Sequence, residues 1–318
     1  MSDYPRDLVE LEACFSDDSA CLTYLEKLRW PTGFRCPACG NESGWRLKEG
    51  RYQCSGCGRQ TSVIAGTIFH GTRMSLQVWF RAIWWVVSQK NGASALGLKR
   101  VLGLGSYETA WLWLHKLRRA MVSPEREPLS GEVEVDETII GGPEKRRRGR
   151  KIKRKALVVI AAECRGNGIG RVRMSRIPNA SAEELQAFIS PNVAKGSILR
   201  TDGWRGYCGV EKIGYSHVPI PVTTGRNPKN KAISVLPRVH RVASLLQRWL
   251  LGTHQGAVTT AHIDYYLDEF TFRFNRRTSR SRGKLFYRLL QNAVRIKAPN
   301  YEATIRHVRG RGRNSRRS

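Results

Sequence analysis

Two cysteine pairs constrain this chain more tightly than any other feature. Cys36-Pro-Ala-Cys39 and Cys54-Ser-Gly-Cys57 are CxxC knuckles with 14 residues between them. Each is followed by a glycine, Gly40 or Gly58, that lets backbone amides turn toward the sulfurs. Four soft thiolates at this spacing suit tetrahedral zinc, and a site closed by four cysteines is structural, with no position left for water. So short a segment has no core of its own, and metal binding supplies its folding energy. The spacing therefore predicts a zinc ribbon over 31–70, with Cys36, Cys39, Cys54 and Cys57 on structural Zn²⁺. A redox pair is the competing reading. Cys14, Cys21, Cys164 and Cys208 lack such spacing and read as plain thiols.

The charge balance narrows the partner. Among 318 residues, 55 Lys and Arg face 26 Asp and Glu, a formal charge of +29, with a pI near 10.5. That points to a polyanion. Lys145, Arg146, Arg147, Arg148, Arg150, Lys151, Lys153, Arg154 and Lys155 form one basic run. It is read as a phosphate-binding arm, against a plain solvated loop. The Arg- and Gly-rich stretch 295–318 reads as a basic disordered tail. A hydrophobic content of 41% excludes a disordered or collagen-like chain, and the length predicts two or three domains. The longest apolar stretch, Val78 to Val87, contains Arg81 and is far shorter than the roughly 20 residues of a spanning helix. The first 26 residues are acidic and polar, unlike a signal peptide. A cytoplasmic protein without disulfides is the expectation.

Periodicity organises the rest. Residues 1–30 read as an N-terminal helical segment. Leu76, Trp79, Phe80, Ile83, Trp84 and Val87 recur at helical spacing behind Ser75, a capping residue. A second helix spans Ala95 to Leu102 and stops at Gly103. A third follows Ser106 and ends in Lys116, Arg118 and Arg119. This block, 71–124, reads as a helix-turn-helix with those three cations toward DNA. Strands follow at Glu132 to Asp136, with Ile139 and Ile140 continuing, at Ala156 to Ala162 and at Arg171 to Ile177. A helix at Ala182 to Ile189 and a strand at Ser197 to Asp202 come next. Helices at Val239 to Leu251 and Thr260 to Asn275 close the pattern.

Asp136 and Asp202 sit at or near the ends of two predicted strands. They read either as turn residues or as oxygen ligands of a hard divalent cation. A positive shell around an acidic pocket is what phosphodiester chemistry requires.

On these residues the chain resembles zinc-ribbon, DDE-type transposases of bacterial insertion sequences. The matching stretches are the ribbon with Gly66-Thr67-Ile68-Phe69-His70, Val135-Asp136-Glu137-Thr138 with Gly141-Gly142, and Thr201-Asp202-Gly203-Trp204-Arg205-Gly206-Tyr207. Val239-His240-Arg241, Trp249 to His254, and Leu267-Asp268-Glu269-Phe270 running to Arg277 complete them. The resemblance implies an α/β (α+β) fold: an RNase H-like mixed sheet flanked by helices over 130–294, preceded by the ribbon and the helical DNA-binding block. It places the first two catalytic acids on Asp136 and Asp202 and the third position on His240, where many relatives carry Glu and others Asn or His; the plain reading of His240 is a helix-terminal residue contacting Pro237 or a neighbouring carboxylate. Imidazole is a poorer ligand for Mg²⁺ than for softer metals, so either a low-activity enzyme or a preference for Mn²⁺ is the consequence. Asp264, Asp268 and Glu269 are rival third acids, with pairing to Arg273, Arg276 and Arg277 as their structural alternative. Gln247 stands where relatives have a basic residue. Trp204 reads as packing beneath Asp202.

The implied activity is metal-dependent cutting at element ends and transfer of the 3′ hydroxyl into target DNA. Two Mg²⁺ or Mn²⁺ ions about 4 Å apart would serve both steps. The implied partners are DNA, both terminal inverted repeats and target, and a second copy of the chain, at the bacterial nucleoid. A DNA-binding regulator with an inert core, and a nuclease or resolvase that cuts without joining, are the alternatives.

Overall fold

A computed structural model describes residues 4–123, 125–141, 155–220, 236–255 and 258–297. In chain order the elements are α1 (Leu8–Cys14), α2 (Asp18–Arg29), β1 (Gly44–Arg46), β2 (Arg51–Cys54), β3 (Gln60–Ser62), α3 (Leu76–Ser88), α4 (Ala95–Leu102) and α5 (Tyr107–Ala120). Next come β4 (Glu132–Ile140), β5 (Ala156–Arg165), β6 (Gly168–Ile177), α6 (Ala182–Asn192), β7 (Ile198–Thr201), β8 (Ser216–Pro219), α7 (Pro237–His254), α8 (Ile263–Asn275) and α9 (Arg282–Ala293). Two compact units result. One joins 1–123 to 279–318, and the other is 124–278. No helix among the described residues is long and apolar enough to cross a membrane.

The first unit is held by capped helices and aromatic packing. Asp7, Asp17, Ser75, Ser94 and Ser106 each accept an amide of the following first turn, satisfying donors that a helix start leaves unpaired. Gly103 ends α4 at φ +62°, in the left-handed conformation that glycine adopts without a Cβ penalty. Trp79 stacks on Trp113 at 3.7 Å, and Phe286 of α9 meets Phe80 and Trp84. Helix α9 falls inside the span 130–294 expected for the sheet domain, yet it packs on α3 and α5. Its Leu285, Phe286, Leu289 and Leu290 are buried at helical spacing, a signal masked in the sequence by the surrounding arginines.

The second unit is a mixed sheet with strand order β6-β5-β4-β7-β8. Strands β4, β5 and β6 are antiparallel; β7 runs parallel to β4, and β8 to β7. Alternation assigns the faces. Val133, Val135, Val159, Ala161 and Leu199 pack with Leu185, Phe188 and Ile189 of α6. Val158, Ile160 and Ala162 pack with Val239, Val242 and Leu246 of α7 and Leu267 and Phe270 of α8. Covering on both faces explains why β5 reads as an unbroken apolar run. This is the RNase H-like arrangement, a mixed sheet between helices. Strand β8 was not anticipated: Ser216-His217-Val218-Pro219 carries a single branched apolar residue and a terminal proline, which an edge strand tolerates.

Candidate active site and zinc centre

The ribbon's four sulfurs all lie within 4.8 Å of one another. Cys36 and Cys57 are 3.7 Å apart, and Cys39 and Cys54 are 3.5 Å apart. Zn–S bonds of about 2.3 Å in a tetrahedron put sulfurs about 3.8 Å apart, so the donors stand at the spacing that ion requires. Gly40 and Gly58 turn at φ +76° and +68°, but their amides close onto the carbonyls of Cys36 and Cys54. The amides that reach sulfur are those of Ala38 and Cys39, on Cys36, and of Asn41, on Cys39. Those of Cys39 and Ala38 pull the Cys36 thiol down to about 6, favouring the thiolate that metal binding uses.

On the sheet, β4 presents Glu134, Asp136 and Thr138 on alternate positions, and α7 meets all three. Glu134 is fully buried. It accepts the amides of Arg238 (2.7 Å) and Val239 (3.0 Å) and the Arg238 guanidinium (2.8 Å). A carboxylate there satisfies the open amides and the positive end of the helix, while Pro237 occupies the first turn without needing a donor. This fixes where α7 begins. Its fourth residue, His240, then stands with Nε2 3.0 Å from Asp136 Oδ2. Asp136 is 16% exposed and His240 50%. Further on, Gln247 donates to Thr138 Oγ1 at 3.4 Å.

Asp202 follows β7. The parallel register pairs Val133 with Leu199 and Glu134 with Arg200, and the same offset carried two residues on brings Asp202, just past the end of β7, to the side of Asp136. Burial raises the Asp136 carboxyl above its usual range, and the Asp202 charge adds to this, while the Glu137 amide and His240 oppose it. A second clamp joins β4 to the helical turn that follows β7. Tyr207, fully buried, donates to Glu137 Oε1. Burial lifts Glu137 to about 7 and, with the three carboxylates nearby, holds the Tyr207 phenol protonated. Among the described residues, only the four-cysteine group brings three or more such donors all within 4.8 Å. Asp136 and His240 meet; the Asp202 charge acts on Asp136, but the three donors are not all within 4.8 Å of one another.

The donor set nonetheless fits a divalent cation. Two ligands at about 2.1 Å and right angles around an octahedral ion lie about 3.0 Å apart, the observed Asp136–His240 separation. Sharing an ion requires His240 Nε2 to be unprotonated; otherwise it donates a hydrogen bond to the carboxylate.

Residues 128–275 match the family model described as the ISXO2-like transposase domain. Residues 16–60 match the transposase zinc-ribbon domain, so together the two span more than half of the chain. This chain belongs to the zinc-ribbon, DDE-type transposase family. It is also similar to a protein of Halobacterium salinarum described as an uncharacterized protein in transposable element ISH50, at 26% identity over 292 residues. That match covers 85% of this chain and 94% of the relative. Membership places the transposase among nucleic-acid-cleaving enzymes and implies DNA as a partner, and the ribbon with its cysteine cluster supports structural zinc.

The transposase's other predicted residues divide. Arg118 is 2% exposed, so its guanidinium does not face DNA: the helix it lies on turns that side inward with Leu114 and Leu117. Lys116 lies 5.9 Å from the Trp79 ring, its pKa lowered by burial, whereas Arg119 is exposed. Of the basic run, only Lys155 lies among the described residues, and it is exposed; Lys145 to Arg154 and the tail from residue 298 lie outside them. Asp264 pairs with Arg176 at 3.2 Å and Glu269 with Arg273 at 2.9 Å, and Asp268 acts on Arg126, so these acids serve the α8 side of the unit. Trp204 does not pack beneath Asp202; it is 53% exposed. Sequence reasoning missed Glu134, Arg238 and the Glu137–Tyr207 pair. The available signal was Glu132, Glu134 and Asp136 at alternate positions between valines, acids on one face of a strand otherwise built for burial.

Proposed function

We propose that this transposase cuts DNA at the ends of its element and joins the freed 3′ end to target DNA, with Asp136, Asp202 and His240 as the catalytic set. The observation that carries this reading is the meeting of Asp136 and His240 across 104 residues of chain, beside the end of the neighbouring parallel strand that Asp202 follows. A divalent cation held by these residues would polarise the scissile phosphate and lower the pKa of the attacking oxygen.

In the first step a water oxygen bonds to phosphorus and the element's 3′ oxygen leaves, taking a proton. In the second, that 3′ oxygen attacks a target phosphate and the target's own 3′ oxygen leaves. Both are in-line displacements, so no side-chain nucleophile is required. Asp136 and Asp202 supply hard oxygen donors. His240 supplies a neutral nitrogen where an acid would add a charge, which favours Mn²⁺ over Mg²⁺. Glu134 and Arg238 hold α7 so that His240 stays on Asp136. The ribbon and the α4–α5 pair contact the terminal repeats through exposed cations such as Arg119, and the 145–155 run neutralises phosphates. Two element ends handled together call for at least a dimer, working on chromosomal DNA at the nucleoid.

The test is purified protein with duplex spanning the element boundary and Mg²⁺ or Mn²⁺. Joined products are expected. Cutting alone would mark a nuclease, and retention without cutting a regulator. Asp136→Asn should abolish both steps, and a variant that still cuts and joins would refute the assignment.

A further inference from the structure

Trp204 combines exposure with tight placement. Its backbone amide donates to Asp202 Oδ1 at 2.9 Å, and its indole Nε1–H donates to the Ala180 carbonyl at 2.9 Å. Gly206 completes the seat. A Cβ at that position would fall 2.8 Å from the indole Cδ1 and Nε1 and 2.5 Å from the Ala180 oxygen, so the ring edge lies against bare backbone. Yet 53% of the residue remains open to solvent, and among the described residues no other ring stacks on it. An indole kept for stability buries its large apolar area. Here the pyrrole edge is held and the rest is presented.

What it is presented to follows from its place. Trp204 is two positions past Asp202, so their Cα atoms are at most about 7 Å apart. A stacked strand advances about 3.4 Å per nucleotide, so a base one or two steps from a phosphate at the carboxylates lies within reach. Arg205, exposed beside it, adds charge that suits the backbone of such a strand. Stacking on an aromatic ring tolerates any base, and a base at a strand end or junction is the least costly to unstack.

We propose that Trp204 stacks on a nucleobase next to the scissile phosphate and so sets which phosphate enters the site. The proposal rests on the reading of Asp136 and Asp202 as the cutting centre. It is tested with the full-length, zinc-loaded protein and boundary duplex carrying 5-iododeoxyuridine at successive positions, irradiated with Ca²⁺ in place of Mg²⁺. Crosslinks to Trp204, mapped by mass spectrometry, should come from one or two positions beside the cut. No crosslink to Trp204 from any position, in protein that cuts the same duplex when given Mg²⁺ or Mn²⁺, overturns the proposal. Protein that cuts with neither Mg²⁺ nor Mn²⁺ refutes the reading of the centre instead. In parallel, Trp204→Ala should lower kcat/KM for cutting by about 5- to 100-fold with Mn²⁺ affinity unchanged. Trp204→Phe, which can stack but not donate, should recover most of the loss. A Phe variant as poor as the Ala variant would show that the Ala180 hydrogen bond matters rather than stacking, and would also overturn it.

Discussion

At the ribbon, donors from two knuckles 14 residues apart converge until four sulfurs stand within 4.8 Å. At the sheet, Asp136 and His240 come from positions 104 residues apart and meet through one 3.0 Å contact, with the Asp202 charge acting on Asp136. The ribbon set is soft, closed and built by local turns. The sheet set is hard, partly open and built by strand register and the docking of one helix. A closed local site needs its metal to fold; an open long-range site needs a folded frame before it can hold anything.

The contrast can be broken most severely at the ribbon. Cys54→Ser should take zinc content from one equivalent per chain to near none and unfold the ribbon, because metal binding of this kind supplies on the order of 10 kcal/mol. Cleavage-site metal binding on the sheet should survive; elemental analysis beside Mn²⁺ titration reads both, and retained zinc would reject the ligand set. At the sheet, Glu134→Ala removes a fully buried carboxylate and leaves one Arg238 nitrogen and two helix amides without their acceptor. A loss of about 3 kcal/mol is expected, seen in denaturant unfolding, with zinc unchanged and cutting impaired through displacement of His240. An unaltered unfolding midpoint would remove Glu134 from the account of how α7 docks.

The smallest effect sharpens the comparison through pH. Burial holds Glu137 at about 7 against 4.5 in the unfolded chain, so between those values the native state keeps a proton that the unfolded state has lost. Without added divalent cation, stability should therefore fall as pH rises through this window and level off above it. Burial acts on Asp136 in the same direction. Glu137→Gln should flatten the slope, checked by thermal melting from pH 4 to 8, and an unchanged slope would place the titration elsewhere.

What could be read early was whatever is local. The knuckles, the caps at Ser75 and Ser106, and the stop at Gly103 depend on residues a few positions apart, and each stands where the pattern put it. The strand alternation around Asp136 was equally legible. Helix α9 was not, because its burial depends on α3 and α5, and neither was β8, whose four residues carry too little pattern.

The amino-acid order by itself determined the four-cysteine cluster, the helical block, the acid that ends β7 and the excess of positive charge, since all follow from spacing and composition; Asp136, expected near a strand end, stands midway along β4. Only the tertiary structure decided that Arg118 turns inward, that Trp204 stays outside, and that a buried Glu134 pins α7 so that His240 reaches Asp136. Burial and cross-strand register arise between distant segments, and a side chain's exposure is a property of its neighbours in space rather than in sequence.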